Sequence, residues 1–326
     1  MSRMLSSLTL SATLLGGTAL AEPPSVAVDI APVRSLVARV MEGVGTPDLI
    51  VKLGASPHEY SLRPSEAQAL ESADLVFWIG EDLTPWLHDA LETLAGDASV
   101  TALLEANETQ LLEFREGALF EAHDHDEHDD HDKEHAEDAH DDLYDHDHDA
   151  HAEDGHDDDD HEKHAEDEHH DHDDQAEEAG AHEGHAHGEH DPHAWLSPDN
   201  ASAWLNVIAA QLSAADPANA GLYFENAAAG QEEIEALKSE ISAVLDPVRG
   251  KEFIVFHDAY QYLEAAFDFP ASGAISLSDA SDPSPARIAE IQERVRGEGI
   301  DCVLAEPQFN PAMVATVMDG TDAATG

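Results

Sequence analysis

The 326-residue sequence predicts an α/β fold of two lobes, each built on a parallel β-sheet flanked by helices. Three observations carry this prediction. Short apolar runs alternate with helix-like stretches, the same alternation resumes late in the chain, and one long helix candidate lies between the two regions. Strands and helices that alternate at this spacing form βα units, which place their strands in parallel. We therefore expect two α/β lobes bridged by one long helix.

The first α/β region begins after the N-terminal 21 residues. Its strand candidates are apolar runs bounded by polar residues or glycine, at 26–33, 48–53 and 74–80. A helix-like stretch continues from the first run to about Glu42. Residues 63–73 carry a second helical pattern, with Pro64 near its start and Ser65 as a candidate N-cap. We assign residues 22–215 to this N-terminal lobe.

The long helix candidate comes next. Asp216 and Pro217 have the pattern of an N-cap and a first-turn proline, and helical periodicity continues until Asp246 and Pro247 stop it. About 28 residues at about 1.5 Å each would form a rod of about 42 Å. We assign residues 216–247 to a helix that links the lobes.

The second α/β region occupies residues 248–326. Apolar strand candidates at 253–258 and 301–306 flank a helix-like stretch at 285–297. This alternation repeats that of the first region, so we expect a second parallel sheet in a C-terminal lobe.

The charge of the chain excludes one class of partner. The 71 acidic and 14 basic side chains give a net charge of −57. Because so acidic a chain repels polyanions, we expect no binding to nucleic acid.

Residues 121–190 have a composition of their own. They hold 32 acidic side chains, 2 lysines and 19 of the 23 histidines, with Leu143 and Tyr144 as the only large apolar side chains. Such a segment cannot offset the entropy lost on ordering its backbone, so we predict a disordered His/Asp/Glu-rich insertion in the N-terminal lobe. A solvated acidic segment is the simplest interpretation. Solubility does not require 19 histidines, however, and interleaved imidazoles and carboxylates favour weak binding of several divalent metal ions.

The N-terminus has the pattern of an export signal. Arg3 precedes a short apolar run, and Ala19 and Ala21 fit a small-x-small cleavage site, which predicts a signal peptide over 1–21 and a mature chain that begins at Glu22. No cysteine directly follows this apolar run, so we expect no lipid anchor. No other apolar run approaches the roughly 20 residues that a membrane span needs. We expect a soluble exported protein.

Four histidines lie outside the acidic segment. His58 lies in a Gly/Ser/Pro turn after a strand candidate, His257 ends another, and His193 lies where the acidic segment ends. Because sites in open α/β sheets form at the carboxyl ends of strands, these three could converge on one metal ion. Imidazole suits zinc, copper, iron and nickel. We assign His88 to a helix flank without a metal role.

Four motifs resemble one family. They are GASPHEYSLRPSEAQALESADLVFWIG, DPHAWLSPDNA, FIVFHDAYQYLEAAF and CVLAEPQFNPAMVATV, spread over nearly the whole predicted mature chain. Together with the His/Asp-rich segment ahead of DPHAW, they resemble the periplasmic zinc-binding proteins that supply zinc ABC importers. The resemblance implies two α/β lobes bridged by a long helix, with His58, His193 and His257 as ligands of a transported Zn²⁺. It also implies a periplasmic monomer with the membrane permease subunits as its partner.

The resemblance bears on metal selectivity and on the fourth ligand. Manganese-binding members of the wider group have a carboxylate where this chain has His257, so imidazole there favours zinc over manganese. The candidates for the fourth metal ligand are water, Glu59 and a residue beyond the chain end. Some zinc members carry Glu where this chain has Pro57.

The family also extends further at the C-terminus, so we expect a truncated C-terminal lobe, in which Cys302 lacks a partner.

Two other functions fit parts of the sequence. A zinc hydrolase also uses three histidines and an open position, but HEYSL at 58–62 lacks the second histidine of HExxH, and no serine nucleophile motif is present. A zinc buffer would depend on the acidic segment alone. Capture and delivery of zinc is the function that the motifs favour.

Overall fold

The structure is a computed structural model that describes residues 22–115, 120, 190–276, 283–297, 299–309 and 311–326. The predicted signal peptide lies outside the described residues. So does the predicted insertion, apart from its last residue, His190.

The N-terminal sheet has four parallel strands in the order β2-β1-β3-β4. The strands are β1 (Val26–Val28), β2 (Asp48–Leu49), β3 (Leu75–Trp78) and β4 (Ser99–Ala102). The helices that alternate with them are α1 (Ala31–Val40), α2 (Pro64–Glu71) and α3 (Pro85–Leu94). The carboxyl ends of all four strands therefore lie at one edge of the sheet.

Two local predictions in this lobe need correction. The apolar run 26–33 is a strand only as far as Val28, because α1 already begins at Ala31, with Pro32 in its first turn. Ser65 does not cap α2, since it lies inside the helix. The N-cap is Arg63, whose backbone N–H donates to the Glu66 carboxylate at 2.8 Å.

Two consecutive helices follow, α4 (Pro198–Ala215) and α5 (Ala220–Leu245). The long helix begins three residues later than predicted, because Asp216 ends α4 and does not cap α5. Its carboxylate accepts hydrogen bonds from the Asn219 amide at 2.6 Å and the Tyr223 hydroxyl at 3.0 Å, which stabilise the turn between the helices. The buried residues of α5 extend only to Ile234, so the remaining turns present no buried face. A 3₁₀ turn over Asp246–Val248 ends the helix where the sequence indicated.

The C-terminal sheet repeats the strand order of the first, as β6-β5-β7-β8, again with every pair parallel. Its strands are β5 (Phe253–His257), β6 (Gly273–Ser276), β7 (Cys302–Val303) and β8 (Ala324–Thr325). The helices are α6 (Gln261–Phe267), α7 (Pro285–Gly297) and α8 (Pro311–Met318). The predicted helix at 285–297 and strand at 253–258 are confirmed, and with two parallel sheets flanked by helices the predicted fold class is confirmed.

The largest core cluster lies in the N-terminal lobe and includes the buried faces of α1, α4 and α5. Tyr262 of α6 belongs to the same cluster, so one C-terminal-lobe side chain is packed into it. Within the described ranges, no helix combines the length and apolar character that crossing a bilayer requires.

Candidate metal centre

The structure brings His58, His193 and His257 together. His58 lies in the segment between β2 and α2, His193 immediately precedes a 3₁₀ turn over Ala194–Leu196, and His257 is the last residue of β5. One ring nitrogen from each lies within 4.8 Å of the other two. The Nε2 atoms of His58 and His193 are 3.3 Å apart. Both lobes therefore contribute an imidazole to one cluster.

The orientation of the His193 ring is set by Asp191. Asp191 Oδ1 lies 2.6 Å from His193 Nδ1 and accepts the backbone N–H of His193 at 3.0 Å. Because a carboxylate only accepts hydrogen bonds, this contact places the ring proton on Nδ1 and leaves Nε2 with its lone pair. Both side chains are buried, His193 with 5% of its surface exposed and Asp191 with 2%.

Glu306 does the same for His257 from the C-terminal lobe. Its Oε1 lies 2.8 Å from His257 Nδ1, while its Oε2 accepts a hydrogen bond from Gln308 Nε2 at 2.7 Å. Glu306, and not Asp258 or Glu59, therefore orients the His257 ring. The Asp258 carboxylate instead pairs with Arg115, and Glu59 is exposed and lies outside the histidine cluster.

Hydrogen bonds before and after His58 stabilise the turn that carries it. Trp86 Nε1 donates to the carbonyl oxygen of Pro57 at 2.7 Å, and the His58 backbone N–H donates to Ser56 Oγ at 3.2 Å. Farther along, the Tyr60 hydroxyl donates to Glu66 at 2.9 Å, so α2 and α3 together fix the path of the chain around His58.

His88 lies on α3 apart from this cluster. Its ring is 44% exposed and lies 3.6 Å from Glu92 and 3.8 Å from Glu81. With Asp89 and Glu92 it forms a second, more exposed group of ligand-type side chains. An exposed acidic group of this kind is common on surfaces, and among the described residues no further observation points to a ligand there.

Asp191 and Glu306 were missed as functional residues when the sequence alone was considered. Asp191 lies two residues before His193 in DPHAW, and Glu306 follows β7, which pairs with the strand that carries His257. A carboxylate two residues from a ligand candidate, and another at the end of a neighbouring parallel strand, are the signals that were available.

The charges of the cluster suit a divalent cation. Three neutral imidazoles would leave a buried 2+ ion uncompensated, whereas Asp191 and Glu306 together carry −2 in direct contact with two of the rings. Tyr260 adds no anion, because its burial and the neighbouring Glu306 carboxylate raise its pKa to about 12. An imidazole set oriented by carboxylates is the arrangement that zinc sites in proteins commonly show.

Comparisons with known proteins place the chain among zinc-uptake proteins. Residues 26–326 match the family described as "Zinc-uptake complex component A periplasmic". The high-affinity zinc uptake system protein ZnuA of Brucella abortus is 42% identical over 319 residues, which cover 97% of this chain and 87% of the relative. The protein of the same name from Paracoccus denitrificans is 39% identical over 324 residues, which cover 98% and 88%.

The fold has relatives among solved structures. A crystal structure of ZnuA aligns with a TM-score of 0.65 at 17% identity, covering 93% of this chain and 89% of that one. The laminin-binding adhesin Lmb of Streptococcus agalactiae aligns at 0.63 and 20% identity, covering 93% and 88%. At this identity the likeness concerns the fold. The match over residues 26–326 and the identity to the curated relatives confirm the resemblance that the sequence motifs indicated, and the chain belongs to the family of periplasmic zinc-uptake complex component A proteins.

Proposed function

We propose that this protein captures one Zn²⁺ with high affinity in the periplasm, through His58, His193 and His257, and delivers it to the membrane permease of an ABC importer. Family membership supports zinc as the transported ion and the periplasm as the place of capture. The protein acts as a carrier, as a monomer, and catalyses no reaction on the ion.

The single observation that carries the ligand assignment is the 3.3 Å separation of the His58 and His193 Nε2 atoms. Two nitrogens at about 2.0–2.1 Å from one zinc ion, at the tetrahedral angle, lie about 3.3–3.4 Å apart. The two rings therefore already have the spacing of a zinc-binding pair. The His257 ring, with its centroid 5.3 Å from that of His193, supplies the third ligand from the other lobe.

Water occupies the fourth position in this proposal. Glu59 is exposed and lies outside the cluster, and Asp191 and Glu306 are engaged with ring nitrogens. An exchangeable ligand suits a carrier, because the permease must compete for the ion at delivery.

Export and the acidic segment complete the proposal. Residues 1–21 act as a cleaved signal peptide, and residues 121–190 act as an accessory low-affinity collector or sensor of zinc. N-terminal sequencing of protein recovered from the periplasm tests the first point, with Glu22 as the expected first residue.

Zinc titration against a competing chelator tests the ligand set. Replacement of His58, His193 or His257 by Ala should weaken binding at the first site by more than the roughly 10- to 100-fold cost of losing an orienting partner. His88→Ala is the matched control and should leave the first site unchanged. If the triple variant of the three ligands binds its first zinc as tightly as the wild type, the assignment is wrong.

A further inference from the structure

Residues 112–115 and 190–191 form a short neck at the two ends of the acidic segment. Glu113 and His190 pair as an isolated antiparallel bridge, and the Asp191 backbone N–H donates to the Leu112 carbonyl at 2.8 Å. The neck therefore joins the chain entering the segment to the chain leaving it, immediately before His193.

The neck is attached to the C-terminal lobe through Arg115. Its guanidinium pairs with the carboxylates of both Asp258 and Glu264, and all three side chains are largely buried, with 17%, 9% and 6% of their surfaces exposed. Glu264 also accepts the Ala271 backbone N–H at 3.1 Å, which holds it within its own lobe. Arg115 thus joins the neck to two acidic groups of the opposite lobe.

Aromatic contacts attach the same region a second time. The Arg115 guanidinium lies 3.5 Å from the centre of the Phe120 ring, and Phe120 packs against an apolar cluster of the C-terminal lobe that includes Val255. From that lobe, the Tyr262 hydroxyl accepts the Leu112 backbone N–H and donates to the Asp191 carbonyl oxygen, each at 2.9 Å. Phe120 thus packs onto the C-terminal lobe, and Tyr262 of that lobe bonds to the neck.

Both attachments lie next to the histidine cluster. Asp191, which ends the neck, orients His193 of the N-terminal lobe, and Asp258 directly follows His257 of the C-terminal lobe. We infer that Arg115 is a positioning residue which clasps the two lobes together around the metal centre and slows release of the ion. This inference rests on the proposed function, since it assigns Arg115 a part in retaining zinc at that site.

The chemistry of the clasp favours arginine. A planar guanidinium presents pairs of N–H donors to two carboxylates at once in a fixed geometry, whereas the ammonium group of lysine acts as a single point charge. Removing Arg115 leaves two buried carboxylates without a cationic partner, which destabilises the closed arrangement. Loss of the Arg115 positive charge makes the surroundings of the metal more negative, which by itself would slow release of a cation. Faster release would therefore report the loss of the contact between the lobes.

Zinc release from the full-length, zinc-loaded protein tests the clasp. Arg115→Met removes every donor and keeps a long apolar side chain, and we expect the release rate measured with excess chelator to rise by about tenfold while the association rate changes little. In amide hydrogen exchange, the Leu112 N–H should lose protection. Arg39→Met is the matched control, because Arg39 also pairs with two carboxylates, Glu42 and Glu233, away from the histidine cluster.

A second variant separates the clasp from a general loss of stability. Combining Arg115→Met with Glu264→Gln removes one unpaired buried charge, so thermal stability should recover while zinc release stays fast. An unchanged release rate in Arg115→Met overturns the inference, and so does a double variant that recovers wild-type release together with its stability. Failure of the proposed function would look different, because His257→Ala would then leave first-site zinc binding intact in the wild-type background.

Discussion

Asp191 contacts His193 twice, through the ring Nδ1 at 2.6 Å and the backbone N–H at 3.0 Å, both to the same carboxylate oxygen. One short sequence, DPHAW, therefore contains both a ligand candidate and the group that orients it. In the other lobe, Glu306 reaches His257 from the segment that follows β7. His193 and His257 are thus each oriented by a carboxylate of their own lobe.

The first prediction concerns these orienting carboxylates. Glu306→Gln should weaken zinc binding by roughly 10- to 100-fold, because the amide carries no charge and holds the His257 ring less firmly. Asp191→Asn should act similarly through His193. Glu290→Gln, which alters an exposed carboxylate paired with Arg287, is the control and should have no effect on zinc affinity. Equal affinities for wild type and Glu306→Gln would remove Glu306 from the site.

The second prediction concerns metal selectivity. Zn²⁺ should bind more tightly than Mn²⁺ by orders of magnitude, since imidazole suits zinc and carboxylate suits manganese, while Cu²⁺ is expected to bind more tightly still in vitro. His257→Glu should narrow the gap between zinc and manganese in competition titrations. If the ratio of zinc to manganese affinity is the same in this variant as in the wild type, another residue sets the selectivity.

The third prediction concerns Asp29, at the end of β1. Its carboxylate is fully buried and accepts the backbone N–H groups of Ile30 and Ile79, each at 2.7 Å. Burial raises its pKa from 3.8 to about 7. Over this interval the folded protein holds a proton that the unfolded chain has lost, so the contribution of Asp29 to the free energy of unfolding falls as pH rises.

Urea unfolding of metal-free protein between about pH 4.5 and 7.5 measures this effect. The free energy of unfolding of wild type relative to Asp29→Asn should decrease across the range, because Asn does not titrate. Asp301→Asn provides a contrast, since Lys251 holds the pKa of Asp301 below its usual value, so its contribution stays constant over this range and is lost only at lower pH. A constant difference between wild type and Asp29→Asn would contradict the raised pKa.

The fourth prediction concerns the acidic segment. Deletion of residues 122–185 preserves Phe120 and the neck, and it should keep the first zinc site while abolishing additional weak sites in calorimetry. Binding at those weak sites should also fade as pH falls toward about 5.5, because protons compete for unperturbed imidazoles. The same stoichiometry with and without the segment at about pH 7.5 would leave it the role of a solvated acidic insertion. A buffer whose metal sites lay only in this segment would instead lose tight binding on deletion.

Several structural elements escaped prediction for identifiable reasons. Strand β4 is partly exposed and lacks an apolar run, and β6 is a four-residue strand that begins at a glycine. The start of α5 was misplaced because Asp216 followed by Pro217 resembles an N-cap, although the aspartate forms its hydrogen bonds as the end of the preceding helix. Local sequence does not distinguish these cases, since each depends on what packs against the segment.

The sequence by itself determined the α/β class, because the alternation of apolar runs and helical patterns is a local property of the chain. It also identified His58, His193 and His257 as candidates, because each has a distinctive neighbourhood near a strand end or a turn. Only the tertiary structure decided that Glu306 orients His257 and that Arg115 pairs with Asp258 and Glu264. These partners are 49 to 149 residues apart in the chain. The pairing of β5 with β7 brings Glu306 to His257, and the contact between the two lobes brings Arg115 to Asp258 and Glu264.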